Sequence, residues 1–207
     1  SAVATDIITR RAGKVIGIDS ADKFFETLAR LVSGQADAKK QNPRSIELMV
    51  TSTKRYLAKP EFRIQLDELI GDEARKLDRL LRTPDFALTG TFSKELFAQR
   101  VAHFESATEP LVRITGVLGR WGTGAELRSI TDLLAQFGLR ESAGGLNILI
   151  NLRAYPAVLI LYGYGLGLLA ARRYADLFKL FSFPLVTERD STTTVVGHLF
   201  LGTWAGG

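Results

Sequence analysis

Tyr155-Pro-Ala-Val-Leu-Ile-Leu-Tyr-Gly-Tyr-Gly-Leu-Gly-Leu-Leu-Ala-Ala171 is a run of 17 residues without a charge, bounded by Arg153 on one side and Arg172-Arg173 on the other. It belongs to a wider stretch, Gly144–Ala171, whose 28 residues carry one charge, Arg153. Two readings compete. As a membrane span it would use Gly163 and Gly167 as a GxxxG packing pair, with tyrosines near the boundary. Its length sits at the lower edge of the roughly 17–25 residues a spanning helix needs. As a core helix it would place Pro156 in its first turn, and Gly163, Gly165 and Gly167 would let neighbouring backbones approach closely. The core reading is preferred, because the length is marginal, no second span exists and the remaining helices need an apolar partner. Gly163-Tyr-Gly165-Leu-Gly167 is not a phosphate loop: no strand precedes it and no Lys-Ser/Thr follows.

Upstream of this segment the chain reads as a succession of amphipathic helices. Asn42-Pro43 opens the first, with Asn as cap and Pro at a position that needs no N–H. Ile46, Met49, Val50, Thr53, Tyr56 and Leu57 follow helical spacing. Pro60 ends that helix and starts another, with Phe62, Leu66, Leu69 and Ile70 on its apolar face. Gly71-Asp72 predicts a kink or restart before Leu77, Leu80 and Leu81. Asp72 with Lys76, and Asp78 with Arg82, are acid-before-base pairs four apart, the pattern of a solvated helix face. Thr83-Pro84-Asp85 and Thr89-Gly90 mark a loop. Leu96, Phe97, Val101, Phe104, Leu111, Ile114, Val117 and Leu118 then form a long helical pattern, which Pro110 should kink or divide. Glu109 reads as a first-turn acid of the second half. Ala125–Phe137 is a further helix, with Gly138 as its C-cap.

Residues 1–33 differ from this pattern. Lys14-Val-Ile-Gly-Ile18 reads as a short buried strand, and Asp19-Ser20 can cap the helix 21–32 that carries Phe24, Phe25, Leu28, Leu31 and Val32. Gly34 stops it, and the polar residues 35–41 form a linker. The fold class expected is therefore mainly α, a multi-helix array with one short N-terminal β-strand left from an α/β nucleotide-binding domain. The boundaries are 1–34 for the strand–helix edge and 42–207 for an α-helical accessory domain. The chain opens without Met and stops at Gly206-Gly207 after an apolar stretch, so a piece of a longer protein is expected.

The composition narrows the chemistry. The 207 residues include no cysteine and two histidines, His103 and His198. Disulfides, iron–sulfur clusters, thiolate zinc and cysteine nucleophiles are excluded for this chain. The net charge of +5 is uneven: residues 1–103 hold 18 Lys/Arg against 14 Asp/Glu, and 104–207 hold 9 against 8. The basic residues around Lys39–Arg63 are interleaved with acids and lack an aromatic stacking pattern, so no strong nucleic-acid signal results. Neither histidine sits beside an evident partner for general-base work. Ser191-Thr192-Thr193-Thr194 reads as a capping or loop cluster, and Arg172-Arg173 as cations at the negative end of the apolar helix. No catalytic residue and no metal ligand set emerges, and the chain alone is not expected to be an enzyme.

Two regions carry a family resemblance. Val15-Ile-Gly-Ile-Asp-Ser-Ala-Asp-Lys-Phe-Phe-Glu-Thr-Leu28 resembles the final strand and helix of the nucleotide-binding domain in sirtuin-like proteins. Asn42-Pro-Arg-Ser-Ile-Glu-Leu-Met-Val50, Lys54-Arg-Tyr-Leu57, Pro60–Leu69, Thr108-Glu-Pro-Leu111, Trp121-Gly122 and Arg153-Ala-Tyr-Pro156 are similar to helical regions behind sirtuin-like effector domains of bacterial antiviral proteins. The resemblance implies that Ile18, Asp19, Ser20, Ala21 and Asp22 border the adenine end of NAD. The family's glycine-rich loop and its catalytic Asn and His have no counterpart here, which implies no cofactor for this chain alone and NAD in the full-length protein. The resulting expectation is an accessory assembly or sensing region of a cytoplasmic NAD-degrading effector, partnered by its own copies or by a protein trigger. A membrane-associated module anchored by 144–171 and a nucleic-acid-binding helical domain are the alternatives.

Overall fold

The computed structural model describes residues 43–87, 93–139, 151–186 and 192–199. The strand expected at 14–18, the helix 21–32 and the five residues Ile18 to Asp22 assigned to NAD lie outside them, as do 140–150. The described residues are mainly α-helical, with one two-stranded antiparallel sheet. That sheet, formed far along the chain, is the β-structure seen among them, in place of an N-terminal strand.

Helix α1 spans Pro43–Leu57 and starts on the proline as the capping pattern requires. It buries Ile46 and Thr53, and the Thr53 hydroxyl donates to the Met49 carbonyl at 2.8 Å, so its burial leaves no polar group open. A short 3-10 turn at Pro60–Phe62 leads into α2, Arg63–Leu81. Leu66, Ile70, Ala74 and Leu77 recur at helical spacing and are buried. The expected break at Gly71 does not occur, because the helix needs no side chain there and runs straight through. Its charge pairing also differs in detail. Asp72 pairs with Arg75 at 2.5 Å, Lys76 instead meets Glu73, and Asp78–Arg82 forms as expected at 2.9 Å.

Helix α3, Lys94–Trp121, is 28 residues long. Ser93 caps it by accepting the Leu96 N–H at 3.1 Å. Pro110 neither divides nor ends it. A proline inside a helix costs about 3 kcal/mol through its missing N–H and its clash with the preceding turn. Here burial of Phe104, Thr108, Leu111, Ile114 and Leu118 against neighbours outweighs that cost. Glu109 is accordingly a mid-helix acid, paired with Arg113 at 3.3 Å, and not a first-turn residue.

Helix α4, Leu127–Gly138, begins after Glu126 and buries Ile130, Leu133, Leu134 and Phe137. Gly138 is its last helical residue and the cap is Leu139, one position later than expected. The glycine is needed there for space: a methyl at 138 would lie 3.0 Å from a Leu199 methyl and 3.5 Å from Ala157.

Helix α5, Tyr155–Ala170, is the apolar segment, and it is the centre of the core. Pro156 occupies its first turn, and residues on nearly every side of it are buried, from Ala157 to Leu168. Its closest partner is α3. A methyl at Gly167 would lie 2.5 Å from the Gly116 carbonyl oxygen and 3.0 Å from Gly119 Cα. A methyl at Gly163 would lie 2.8 Å from the Val112 carbonyl oxygen. The two helices therefore run parallel with their backbones in contact, and the glycine spacing serves soluble-type helix packing. Among the described residues no helix is long and apolar enough to cross a membrane.

The chain closes with α6 (Tyr174–Ser182), strands β1 (Pro184–Val186) and β2 (Thr192–Thr194), and α7 (Val195–Leu199). Leu185 pairs opposite Thr193 and is buried, and Val195 and Leu199 complete the core beside Phe137. The threonines expected as a loop cluster thus supply a strand. Thr194 also accepts the Gly197 N–H at 3.1 Å, so a capping role holds for that one residue.

Candidate functional site

Two features stand out against this framework, one apolar and one polar. The apolar one is a solvent-open cleft of about 220 Å³ between α5, α6 and α7. Leu161, Tyr162, Gly165, Leu166 and Leu169 of α5 form its floor. Leu177 and Phe181 of α6 and Val196 and Leu199 of α7 form its walls. Apart from the Tyr162 hydroxyl, every lining side chain is hydrocarbon. The cleft exists because Gly165 offers no side chain between α5 and α6. A methyl there would reach Leu177 at 3.6 Å, which is ordinary contact, so packing alone does not demand glycine.

The cleft continues into an exposed ridge. Tyr174, Phe178 and Phe181 recur at helical spacing on the outer face of α6, and Phe178 is 71% exposed. Leu169, Tyr162 and Val196 are exposed beside them. Scattered apolar residues are normal on protein surfaces, but a contiguous set around an apolar cleft marks an interaction site. The signal was present in the sequence as Tyr174-x-x-x-Phe178-x-x-Phe181. On its own it reads as the buried stripe of an amphipathic helix, because only the fold shows which face Leu180 takes into the core.

The polar feature lies where α3 ends. Glu126 is 3% exposed, and its carboxylate accepts the Gly124 N–H at 2.9 Å and faces Arg63 at 3.5 Å. Arg63 also donates to the Ala125 carbonyl at 3.0 Å. Gly124 has φ of +100°, a conformation that favours glycine, and it turns the chain so that its N–H meets this carboxylate. Arg173 closes the other side, donating to the Gly122 carbonyl at 2.5 Å and the Gly119 carbonyl at 3.3 Å while pairing with Asp176 at 2.7 Å. Its guanidinium satisfies the negative end of α3 and not that of its own helix, which corrects the expectation for the Arg172-Arg173 pair. The hydrogen bond from Arg173, helped by Lys179, holds the Asp176 carboxyl below the usual range.

Burial dominates the two titrating tyrosines of α5. The Tyr164 side chain is fully buried and its hydroxyl has no hydrogen-bond partner. Burial pushes it up to about 12; Arg173 opposes the shift, and Glu126 and Asp176 add to it. Burial likewise raises Tyr155, whose hydroxyl donates to Glu105 at 2.8 Å. Both phenols therefore remain neutral at physiological pH, and neither is poised as a base.

The two histidines occupy separate places. His103 stacks near Phe86, with ring centroids 6.3 Å apart, and the His198 Nε2 lies 3.1 Å from the Gly138 carbonyl. Among the described residues no three His, Asp or Glu side chains gather into a set that would hold a metal ion. With this geometry in place, comparison with known proteins adds nothing: no family model, curated protein or solved structure matches the chain.

Proposed function

We propose that residues 43–199 form a non-catalytic helical accessory module that self-associates through the α5–α6–α7 cleft, and that its parent is a sirtuin-like, NAD-consuming antiviral effector. The observation that carries the assembly half is the apolar cleft with its adjoining aromatic ridge. A two-fold interface requires one patch to donate and receive together. This face does so, because Phe178 projects from the same helix whose Leu177 and Phe181 line the cleft. A second copy can seat its Phe178 there while its own cleft receives the first. The parent assignment rests on the Ile18–Asp22 turn and the helical segments quoted above, and in that setting assembly would bring the NAD-cleaving domains together.

Light scattering across a concentration series tests the assembly half. The chain should gain mass with concentration, and the pair of substitutions Phe178→Asp and Gly165→Leu should abolish the gain without loss of helicity. A chain that stays monomeric at all concentrations, or variants that assemble as the parent does, would refute it. For the parent assignment, the discriminating measurement is NAD turnover by this chain alone. Robust hydrolysis would contradict an accessory role.

A further inference from the structure

Because α3 and α5 run parallel, their C-terminal ends lie together at one end of the bundle. Helix C-termini attract cations, and Arg173 supplies that need by clasping the Gly119 and Gly122 carbonyls. More positive charge is present than this role uses. Lys54 Nζ lies 4.7 Å and the Arg120 guanidinium 4.8 Å from the centre of the Trp121 ring, and that indole is 50% exposed. Nearby acids are engaged elsewhere: Glu126 faces Arg63 and the Gly124 N–H, and Asp176 pairs with Arg173 and Lys179. Lys54 and Arg172 make no ion pair with a carboxylate among the described residues.

Arg172 adds an independent observation. It sits at φ of +57°, the left-handed region, immediately after α5. Its N–H bonds to the Leu169 carbonyl at 3.0 Å, and the next N–H, of Arg173, bonds to the Leu168 carbonyl at 2.9 Å. That pair of bonds is a Schellman termination, whose left-handed position is usually glycine. The fold thus carries an exposed cation where glycine would close the helix with less strain. Backbone strain of this kind concentrates at functional positions.

We propose that this end of the bundle binds single-stranded nucleic acid, with phosphates held by Lys54, Arg120 and Arg172 and a base packed on the Trp121 indole. An exposed aromatic among cations is the arrangement that binds single strands without reading their sequence. The surface is built from helix C-termini, which present no backbone N–H groups to phosphate, so side-chain cations do the holding. Along the sequence, Lys54, Trp121 and Arg172 are far apart. Their association is a product of the fold.

The test uses the whole chain with fluorescent oligo-dT and oligo-U, read by anisotropy, with quenching of tryptophan emission as the second signal. Binding should weaken with salt, the logarithmic slope being about −2 for three phosphate contacts to a single strand. Trp121→Ala should weaken binding about tenfold through lost stacking. Arg172→Gly should weaken binding while raising the melting temperature, a combination that a purely structural arginine would not give. Absence of binding at low salt, salt-independent binding, or unchanged affinity in Trp121→Ala would overturn the proposal. So would equal or tighter binding to phosphatidylserine vesicles, which would make the surface a general anion or lipid site.

Discussion

Gly167→Ala is the substitution that tests the core reading of the apolar helix most directly. In an isolated helix it would help, since alanine exceeds glycine by about 1 kcal/mol in helix propensity. Here the added methyl would lie 2.5 Å from the Gly116 carbonyl oxygen, 2.9 Å from the Arg120 nitrogen and 3.0 Å from Gly119 Cα. All three are backbone atoms of α3, and none can rotate aside. Restoring ordinary contact at 3.4 Å requires α3 and α5 to separate by about 0.9 Å. A gap of about 0.5–1 Å forfeits a quarter to a half of each dispersion well, each about 0.1–0.2 kcal/mol. Over a seam of about 50 atom pairs the loss is about 2–3 kcal/mol, against the 1 kcal/mol gained in propensity. The net is a destabilisation of about 2 kcal/mol, in the range typical of overpacked cores. For a protein of this size that corresponds to a melting temperature lower by about 4–8 °C.

Gly71→Ala is the matched control. Its methyl meets only the flexible end of Arg75, at 3.2 Å, so it should stabilise α2 by up to about 1 kcal/mol. Circular dichroism melts and urea titrations of the two variants should therefore move in opposite directions. If Gly167→Ala melts at or above the parent, or if both variants move together, the backbone-contact seam is wrong. Gly119→Ala should behave as Gly167→Ala does. The double variant should lose less than the sum, because both methyls force open the same seam.

Arg172→Gly should stabilise the fold by about 1 kcal/mol, the cost of placing a side chain in the left-handed region, and a thermal melt reads it directly. Glu126→Ala should lose about 3 kcal/mol, because it strands the Gly124 N–H and removes the partner of Arg63, and urea unfolding measures this. The alkaline limb should begin near pH 10. There tyrosines in the unfolded chain start to ionise while Tyr164 keeps its proton up to about 12, so the unfolded state binds fewer protons and stability falls as pH rises. Tyr164→Phe should flatten that limb and leave stability at neutral pH equal or slightly higher, since it removes an unpartnered buried hydroxyl. On the acid side Asp176 works with the opposite sign. Its stabilisation is present above its ordinary value of 3.8 and is lost as pH falls through its lowered one, so Asp176→Asn should flatten the acid limb.

Much of the helical architecture was legible before any tertiary contact was known. Pro43 at the start of α1, the proline-led turn at 60–62, and the apolar spacing of Leu66, Ile70 and Leu77 all follow from local chemistry. The expectations that failed share one cause. Gly71 and Pro110 are locally unfavourable to a helix, yet α2 and α3 pass through both, because packing along a long helix outweighs one weak position. Arg173 illustrates the same limit for charge. Sequence places it at the end of its own helix, whereas its side chain crosses to the end of another.

The candidate site was less legible still. The ridge Tyr174, Phe178 and Phe181 has the spacing of a buried stripe, and only the docking of Leu180 in the core reveals it as the outer face. Sequence by itself determined that the chain is mainly helical and has no thiol chemistry, and that the uncharged run 155–171 is its most apolar element. Those properties depend on residue type and on spacing within one helix. Tertiary structure alone decided that α5 lies against α3 backbone to backbone, that Gly165 opens a cleft, and that Lys54, Trp121 and Arg172 share one end of the bundle. Each of these depends on which helices become neighbours, and distant apolar faces select their partners by mutual burial, which no local pattern specifies.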